Sequence, residues 1–251
     1  MMPNFMRLAI GTLTRLPVPA PDSVNRHVAR LAMSMAPAIG MLIALVIGIP
    51  LLIADLAVQP EGDPLRSLLL ATVAIAALAW FTRALHLDGL ADVADAAGAA
   101  HKDKARLLAV LHDPHVGSFG VVAIALQLIA KLVLLHALVE RDALLAIALI
   151  PFAARIAPLG WARWLPPLHE GLGARFRHAV RPVDLGAWAL ALVAAALFLS
   201  PSLSVLPFVA LLWALWLERR IGGISGDGHG AGIEISETAL LIAAILWTLF
   251  R

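Results

Sequence analysis

Three aspartates at helical spacing are the strongest chemical feature of the chain. Asp88, Asp92 and Asp95 occupy positions i, i+4 and i+7, so on a helix their side chains share one stripe. Carboxylates on successive turns of one helix face repel one another, which raises their pKa values. A bound divalent cation removes this repulsion. Hard oxygen ligands suit Mg²⁺, which keeps several waters and takes phosphate oxygens as further ligands. The spacing therefore predicts a Mg²⁺ site; the alternative is a solvated acidic helix end.

The residues around this stripe favour the metal site over the solvated alternative. His86 precedes the stripe, and either His86 or one of the carboxylates is a candidate general base; the sequence does not choose between them. Small or apolar residues fill the positions between the aspartates, which indicates a segment packed among other helices. These residues are Gly89, Leu90, Ala91, Val93 and Ala94.

A glycine-rich segment, residues 222–237, is the second candidate site. It contains six glycines, which in a loop would let backbone N–H groups approach a phosphate closely. It is not a P-loop, because Gly-Lys-Ser/Thr is absent. Asp227 and Glu234 add carboxylates that would complete the cation site, and the alternative is a flexible loop without a ligand. The glycines predicted to contact the phosphate are Gly222, Gly223 and Gly226.

Two weaker candidates lie elsewhere in the chain. Arg155 falls inside a predicted membrane span, where a charge is costly unless it faces the interior of the bundle. There it either pairs with the aspartate stripe or contacts a phosphate. His112 and His115 stand at the start of another predicted span, where they are either metal ligands or solvated side chains.

The composition predicts a protein of the lipid bilayer. Of the 251 residues, 61% are hydrophobic and 14% are charged, and the mean hydropathy is +0.89. Soluble domains carry about 25% charged residues. A net charge of only +2 gives little support to nucleic-acid binding. The chain has no cysteine, which excludes disulfides, thiolate metal sites and a cysteine nucleophile.

Hydropathy predicts an all-α, polytopic transmembrane bundle of about seven spans in a single domain, residues 1–251. A bilayer core about 30 Å thick needs roughly 20 apolar residues per helix. The fifth and sixth spans are short and Pro201 favours a break between them, so they are alternatively one bent helix. The residues before Arg15 predict a short N-terminal helix at the interface. The predicted spans are 35–54, 67–85, 118–136, 143–161, 185–199, 206–217 and 238–250.

Basic residues fall in alternate loops, which places the N-terminus in the cytoplasm. The aspartate stripe and the glycine-rich segment then lie on the same, cytoplasmic side, so they can meet around one cation. The loop at 162–184 is also basic; its arginines either orient the chain or bind an anionic nucleotide. They are Arg163, Arg175, Arg177 and Arg181.

Five motifs in order, covering about residues 5–240, resemble the cobalamin-5'-phosphate synthases, or adenosylcobinamide-GDP ribazoletransferases. The chain departs from the family pattern at Ser225, where Thr is usual, at His112, where Arg is common, and at residues 96–98. The motifs are Thr-Arg-Leu-Pro-Val-Pro (14–19), Leu-His-Leu-Asp-Gly-Leu-Ala-Asp (85–92) with Asp95, Asp113 with Gly117, Glu-Gly-Leu-Gly (170–173), and Gly-Gly-(x)2-Gly-Asp-(x)2-Gly-Ala (222–231) with Glu234.

The resemblance implies a Mg²⁺-dependent phosphotransferase of the bacterial inner membrane, multi-pass, with its active site facing the cytoplasm. Its substrates would be adenosylcobinamide-GDP and α-ribazole or its 5'-phosphate, and its products adenosylcobalamin or its 5'-phosphate and GMP. The aspartates would hold one or two Mg²⁺ ions, completed by Asp227 and Glu234. Asp113 and Arg155 become candidate binding residues beside the phosphate-cradling glycines. The lipid bilayer is a partner, nucleic acid is not, and homo-oligomerisation stays open.

Three other classes compete with this interpretation. A CDP-alcohol phosphotransferase would have Asp-Gly-(x)2-Ala-Arg, but residue 92 is Asp. A UbiA-like prenyltransferase would have two aspartate-rich motifs, whereas the second motif here is rich in glycine. A transporter would carry its ionisable residues at mid-membrane and often an internal repeat. Here the acids lie at one end, and no repeat is visible.

Overall fold

The computed structural model describes residues 2–57, 64–99, 104–111, 113–168, 176–177 and 179–250. Within these ranges the chain is helical and forms no strand beyond an isolated bridge between Pro167 and Ile224. The helices are α1 (Asn4–Leu13), α2 (Arg26–Ser34), α3 (Ala36–Ala57), α4 (Pro64–Phe81), α5 (Leu85–Ala99), α6 (Lys104–Leu111), α7 (Ser118–Val139), α8 (Leu144–Ala154), α9 (Ala157–Trp164), α10 (Pro182–Phe198), a 3₁₀ helix (Pro201–Val205), α11 (Leu206–Arg220) and α12 (Gly226–Leu249).

The prediction of an all-helical, multi-pass bundle is confirmed, whereas the count of seven spans stays a prediction. In the described ranges, four helical stretches are long and apolar enough to cross a bilayer, and two bent pairs raise the number to six. The apolar α10 is shorter than a full span. The four stretches are Ser118–Val139, Leu144–Trp164, Pro201–Arg220 and Gly226–Leu249; the bent pairs are Arg26–Ser34 with Ala36–Ile49 and Leu65–Phe81 with Leu85–Gly98.

The last helix begins earlier than its hydropathy predicts, so the loop expected over residues 222–237 is wrong from Gly226 onward. Ser225 caps the helix, since its side chain accepts a hydrogen bond from the Gly228 N–H. The glycines that follow serve close packing. A Cβ atom at Gly232 would meet the rings of Trp161 and Trp213. Tight packing thus offsets the poor helix propensity of glycine.

The N-terminal helix α1 packs on the bundle through Leu8 and Ala9, which are buried. The buried Arg7 binds Asp22 at 3.2 Å, and the Arg15 N–H donates to the Phe81 carbonyl at 2.6 Å. The Arg15 contact attaches the segment to the end of α4, and the Arg7–Asp22 pair holds α1 to the stretch that follows it. The interfacial position expected for α1 stays a prediction.

A buried polar network joins α7, α12 and the α8–α9 junction. Lys131 Nζ donates to Glu234 Oε2 and Glu237 Oε2, each at 2.6 Å. Arg155 Nη1 donates to Glu237 Oε1 at 3.0 Å, and Gln127 Nε2 donates to Glu234 Oε2 at 2.9 Å. All five side chains are buried. Two cations face two carboxylates, so the network is neutral, which is the condition for keeping charges inside a membrane bundle.

The network predicts a charge-balance effect on stability. Lys131→Met leaves Glu234 without its cation, so we expect the free energy of unfolding to fall by about 3–5 kcal/mol. Lys131→Met combined with Glu234→Gln restores neutrality and should recover much of that loss. Thermal unfolding of the detergent-solubilised proteins measures both variants. Equal midpoints for the single and the double variant would show that charge balance does not stabilise the bundle.

Candidate metal and phosphate site

The helix that carries the aspartate stripe lies across one end of the bundle. Ser67 in α4 hydrogen-bonds His136 and Glu140, which lie at the far end of α7. The end of α4 is therefore near the start of α7. Between α4 and α5 the chain turns by 84° through Arg83 and Ala84, both at positive φ. Thus α5 lies across the end of the bundle where α7 and α12 begin, which we call the aspartate end.

Helices α5 and α12 touch backbone to backbone at this end. A Cβ atom on Gly89 would lie 2.8 Å from the carbonyl oxygen of Asp227 and 2.9 Å from its Cα. One turn further along α12, a Cβ atom on Gly230 would lie 3.2 Å from the Cα of His86. Only glycine permits such an approach. The contact brings Asp227 to the aspartate stripe, although the two segments are far apart in sequence.

Four carboxylates lie within electrostatic range of one another as a result. Asp92 is half-buried, and Asp227, Asp88 and Asp95 are its acidic neighbours. Burial, followed by repulsion from these three, raises the pKa of Asp92 to about 6. In the described parts of the chain, no group of three His, Asp or Glu side chains is arranged so that it could hold a metal ion without further ligands. The donor set nevertheless fits a hard cation, because added positive charge relieves the repulsion.

Asp95 differs from its neighbours because its carboxylate is already bonded. Its oxygens accept the N–H of Gly117 at 2.7 Å and the N–H of Gly120 at 2.9 Å. Gly117 is the N-cap of α7 and has no side chain to offer. Asp95 therefore caps α7 from outside that helix. The aspartates left for a ligand are Asp88 and Asp92 of the stripe and Asp227 in the first turn of α12.

Glu234 and Arg155, predicted as a metal ligand and a binding residue, lie instead in the buried network. Arg155 is fully buried, which confirms that it faces the interior of the bundle. Its partner is Glu237, not the aspartate stripe or a phosphate. The carboxylate of Glu234 is held by Gln127 and Lys131. Both side chains are paired because a charge buried inside a membrane bundle requires an opposite charge beside it.

Gly222 and Gly223 form the turn between α11 and α12. Both have positive φ, a backbone conformation that favours glycine. Gly223 is packed, because a Cβ atom there would clash with the Pro166 carbonyl oxygen. The Ile224 N–H donates to the Pro166 carbonyl at 2.8 Å, and the Leu168 N–H donates to the Ile224 carbonyl at 3.0 Å. Gly222 is exposed, and Gly226, which begins α12, has open space beside it.

Asp113 lies in an exposed turn before α7. Its Oδ1 accepts the His115 N–H at 3.0 Å and lies 2.7 Å from His115 Nδ1. These hydrogen bonds hold the pKa of Asp113 below its usual value. His112, Arg175 and the segment 170–173 lie outside the described residues, so their predicted roles stay predictions.

A cavity of about 260 Å³ opens beside the carboxylates. Asp88, Asp227, His86 and His229 contribute its polar lining, together with Thr12. His86 Nδ1 lies 3.5 Å from Arg155 Nη2, so the cavity adjoins the buried network.

The sequence analysis did not identify the network partners of Glu234 and Arg155. Gln127 and Lys131, polar residues at i and i+4 inside an apolar span, were the available signal.

The α5–α12 contact predicts different effects for two glycine substitutions. Gly89→Ala would push against the Asp227 backbone, and overpacking of this kind costs about 1–3 kcal/mol. Gly186→Ala in α10 is the matched control, since a Cβ there meets nothing within 4 Å. We expect thermal unfolding in detergent to show a lower midpoint for Gly89→Ala only. Equal midpoints for the two variants would contradict the close approach.

Comparison with known proteins identifies the family of the chain. Residues 5–245 match the cobalamin-5-phosphate synthase family. A relative from Novosphingobium aromaticivorans, named adenosylcobinamide-GDP ribazoletransferase, is 54% identical over 242 residues, or 95% of each chain. One from Thiobacillus denitrificans with the same name is 44% identical over 94% of this chain and 93% of the relative. No solved structure matches the chain at a significant level. The chain therefore belongs to the cobalamin-5-phosphate synthase family.

Proposed function

We propose that this protein is an adenosylcobinamide-GDP ribazoletransferase that acts late in adenosylcobalamin synthesis. It joins adenosylcobinamide-GDP to α-ribazole or its 5'-phosphate and releases GMP. The name and near full-length coverage of the 54% identical relative support this assignment. The observation that carries it in the structure is the contact at Gly89, which gathers four carboxylates beside a cavity.

We further propose that the aspartates bind Mg²⁺ together with the substrate diphosphate. Mg²⁺ in phosphate-handling sites takes one or two carboxylates and completes its shell with phosphate oxygens and waters. This fits a site in which Asp88, Asp92 and Asp227 are neighbours without forming a closed cage. When bound, the ion supplies positive charge to the attacking and leaving oxygens. The start of α12 adds the favourable end of a helix dipole.

The chain's own residues position the reaction and receive its proton. The ribazole 3'-hydroxyl attacks the phosphorus attached to cobinamide, the bond from that phosphorus to the GMP oxygen breaks, and the hydroxyl proton passes to a base. His86 Nδ1 faces the Arg155 guanidinium, which only donates. The proton of a neutral His86 then sits on Nε2, so that nitrogen donates. This arrangement favours an aspartate as the base.

We also propose where the protein lies in the cell. Several apolar helices fit a multi-pass membrane protein. We propose that it lies in the bacterial inner membrane with the aspartate end in the cytoplasm, where nucleotides are found. Arg219 and Arg220, at the end of α11 just before the site, support this orientation.

Asp92→Asn tests the proposed chemistry. It removes one anionic ligand and should lower Mg²⁺-dependent GMP release by about 100-fold or more, while the fold persists because a repulsion is relieved. Asp142→Asn, after α7 at the opposite end of the bundle, is the control and should keep full activity. The assay uses purified protein in nanodiscs with adenosylcobinamide-GDP, α-ribazole and Mg²⁺. Substantial activity in Asp92→Asn would remove Asp92 from the site.

A further inference from the structure

A large apolar groove runs between α5, α11 and α12. Its volume is about 870 Å³, and the side chains that line it are those of alanine, valine, leucine, isoleucine, phenylalanine and tryptophan. Phe208, Ile242 and Leu246 line the groove and are exposed, so it opens on the outer surface of the bundle. These walls suit a hydrocarbon chain, because a polar ligand would lose its hydrogen bonds to water without replacement.

The groove lies beneath the apolar side of the helix that carries the aspartates. Leu90, Val93, Ala94 and Ala97 are the α5 residues that line it. At 100° per residue they lie on the face of α5 opposite the aspartate stripe. An occupant of the groove therefore supports α5 from behind without touching the carboxylates.

The side of α11 that lines the groove ends in two arginines. Leu212 and Trp216 line the groove one turn apart. Arg219 and Arg220 are three and four positions after Trp216, so they continue the same face of the helix by one turn. Arg220 Nη2 donates to the carbonyl of Ala97, which lines the groove in α5, at 3.1 Å. This hydrogen bond places the guanidinium at the aspartate end of the groove.

The length of the groove matches one leaflet of a bilayer. From Phe208 to Arg219, α11 rises by about 17 Å, and one leaflet contributes about 15 Å of hydrocarbon. An acyl chain lying along α11 in the groove would thus have its phosphate level with Arg219. Trp216 lies just inside that level and stacks on Trp213 with ring centroids 5.0 Å apart. Indole rings favour this depth in a membrane.

The acid between these arginines and the groove, Glu218, belongs to a different face of α11. It continues the stripe of Pro207, Leu211 and Ala214, which line a separate cavity towards α9 and α10. The exposed Arg219 therefore gives the end of the groove a positive charge. Arginine forms charge-assisted hydrogen bonds with phosphate, and basic residues beside a span attract anionic lipids.

We propose that this groove binds one anionic phospholipid from the leaflet at the aspartate end. An acyl chain lies between α11 and α12 beneath α5, and the phosphate accepts hydrogen bonds from Arg219. A second copy of the chain fits less well. A two-fold axis along the membrane normal would bring two copies of Arg219 to the same level, where like charges repel. Two facing grooves would also leave a void, which close packing disfavours.

Arg219→Gln tests the recognition of the headgroup. The variant keeps the groove and loses the positive charge, so its preference for phosphatidylglycerol over phosphatidylcholine should fall about fivefold. Arg83→Gln is the matched control, because Arg83 is an exposed arginine at the same end that does not line the groove. Native mass spectrometry counts the lipids retained by protein released from nanodiscs that contain equal amounts of the two lipids with identical acyl chains.

Ala243→Phe tests the seat of the acyl chain. Ala243 lines the groove from α12, and a phenylalanine there would occupy the space of the chain. We expect the variant to retain about one lipid fewer per protein. Ala187→Phe is its control, because Ala187 in α10 is exposed and does not line the groove. The control should retain as many lipids as the wild type.

Three outcomes would overturn the inference. Wild type and Arg219→Gln with the same headgroup preference would show that the arginine does not recognise the phosphate. An equal loss of preference in Arg83→Gln would show a general surface charge effect. A wild-type dimer that Ala243→Phe converts to a monomer would show that a second copy covers the groove. GMP release by the wild type is measured separately, so these outcomes leave the proposed function standing.

Discussion

A single backbone contact, Gly89 against Asp227, imposes the electrostatic character of the aspartate end. It places acids from two distant parts of the chain where they repel one another. The raised pKa of Asp92 reflects its burial first and this repulsion second. Packing and hydrogen bonding elsewhere must hold this arrangement together. Asp95 contributes by capping α7, which fixes α5 across the end of the bundle. Strongly perturbed carboxylates in a cleft are common at functional sites.

Helix α12 carries two groups of acidic side chains with different surroundings. At its start, Asp227 faces other carboxylates and the cavity. Deeper in the bundle, Glu234 and Glu237 are neutralised by Lys131 and Arg155. In our proposal an external cation and phosphate complete the first arrangement, whereas the second is complete within the chain. This contrast separates the acids proposed to act on a ligand from the acids that hold helices together.

The sequence was sufficient to predict the membrane bundle and the shared stripe of Asp88 and Asp92, because hydropathy and helical periodicity are local properties. It was insufficient where a partner comes from elsewhere in the chain. Hydropathy placed the start of the last span after the glycines, yet close packing against Trp161 and Trp213 makes that segment helical. Asp95 was indistinguishable from Asp92 in sequence, since its capping of α7 depends on tertiary structure.

Asp92 and Asp227 repel each other when no cation is bound. A double-mutant cycle of Asp92→Asn and Asp227→Asn, measured by unfolding in EDTA, tests this repulsion. At pH 8, where Asp92 is ionised, the double variant should gain about 1 kcal/mol less stability than the sum of the single variants. At pH 5 this coupling should shrink, because Asp92, with its pKa of about 6, is then protonated in the folded protein. Additive effects at pH 8 would contradict the account.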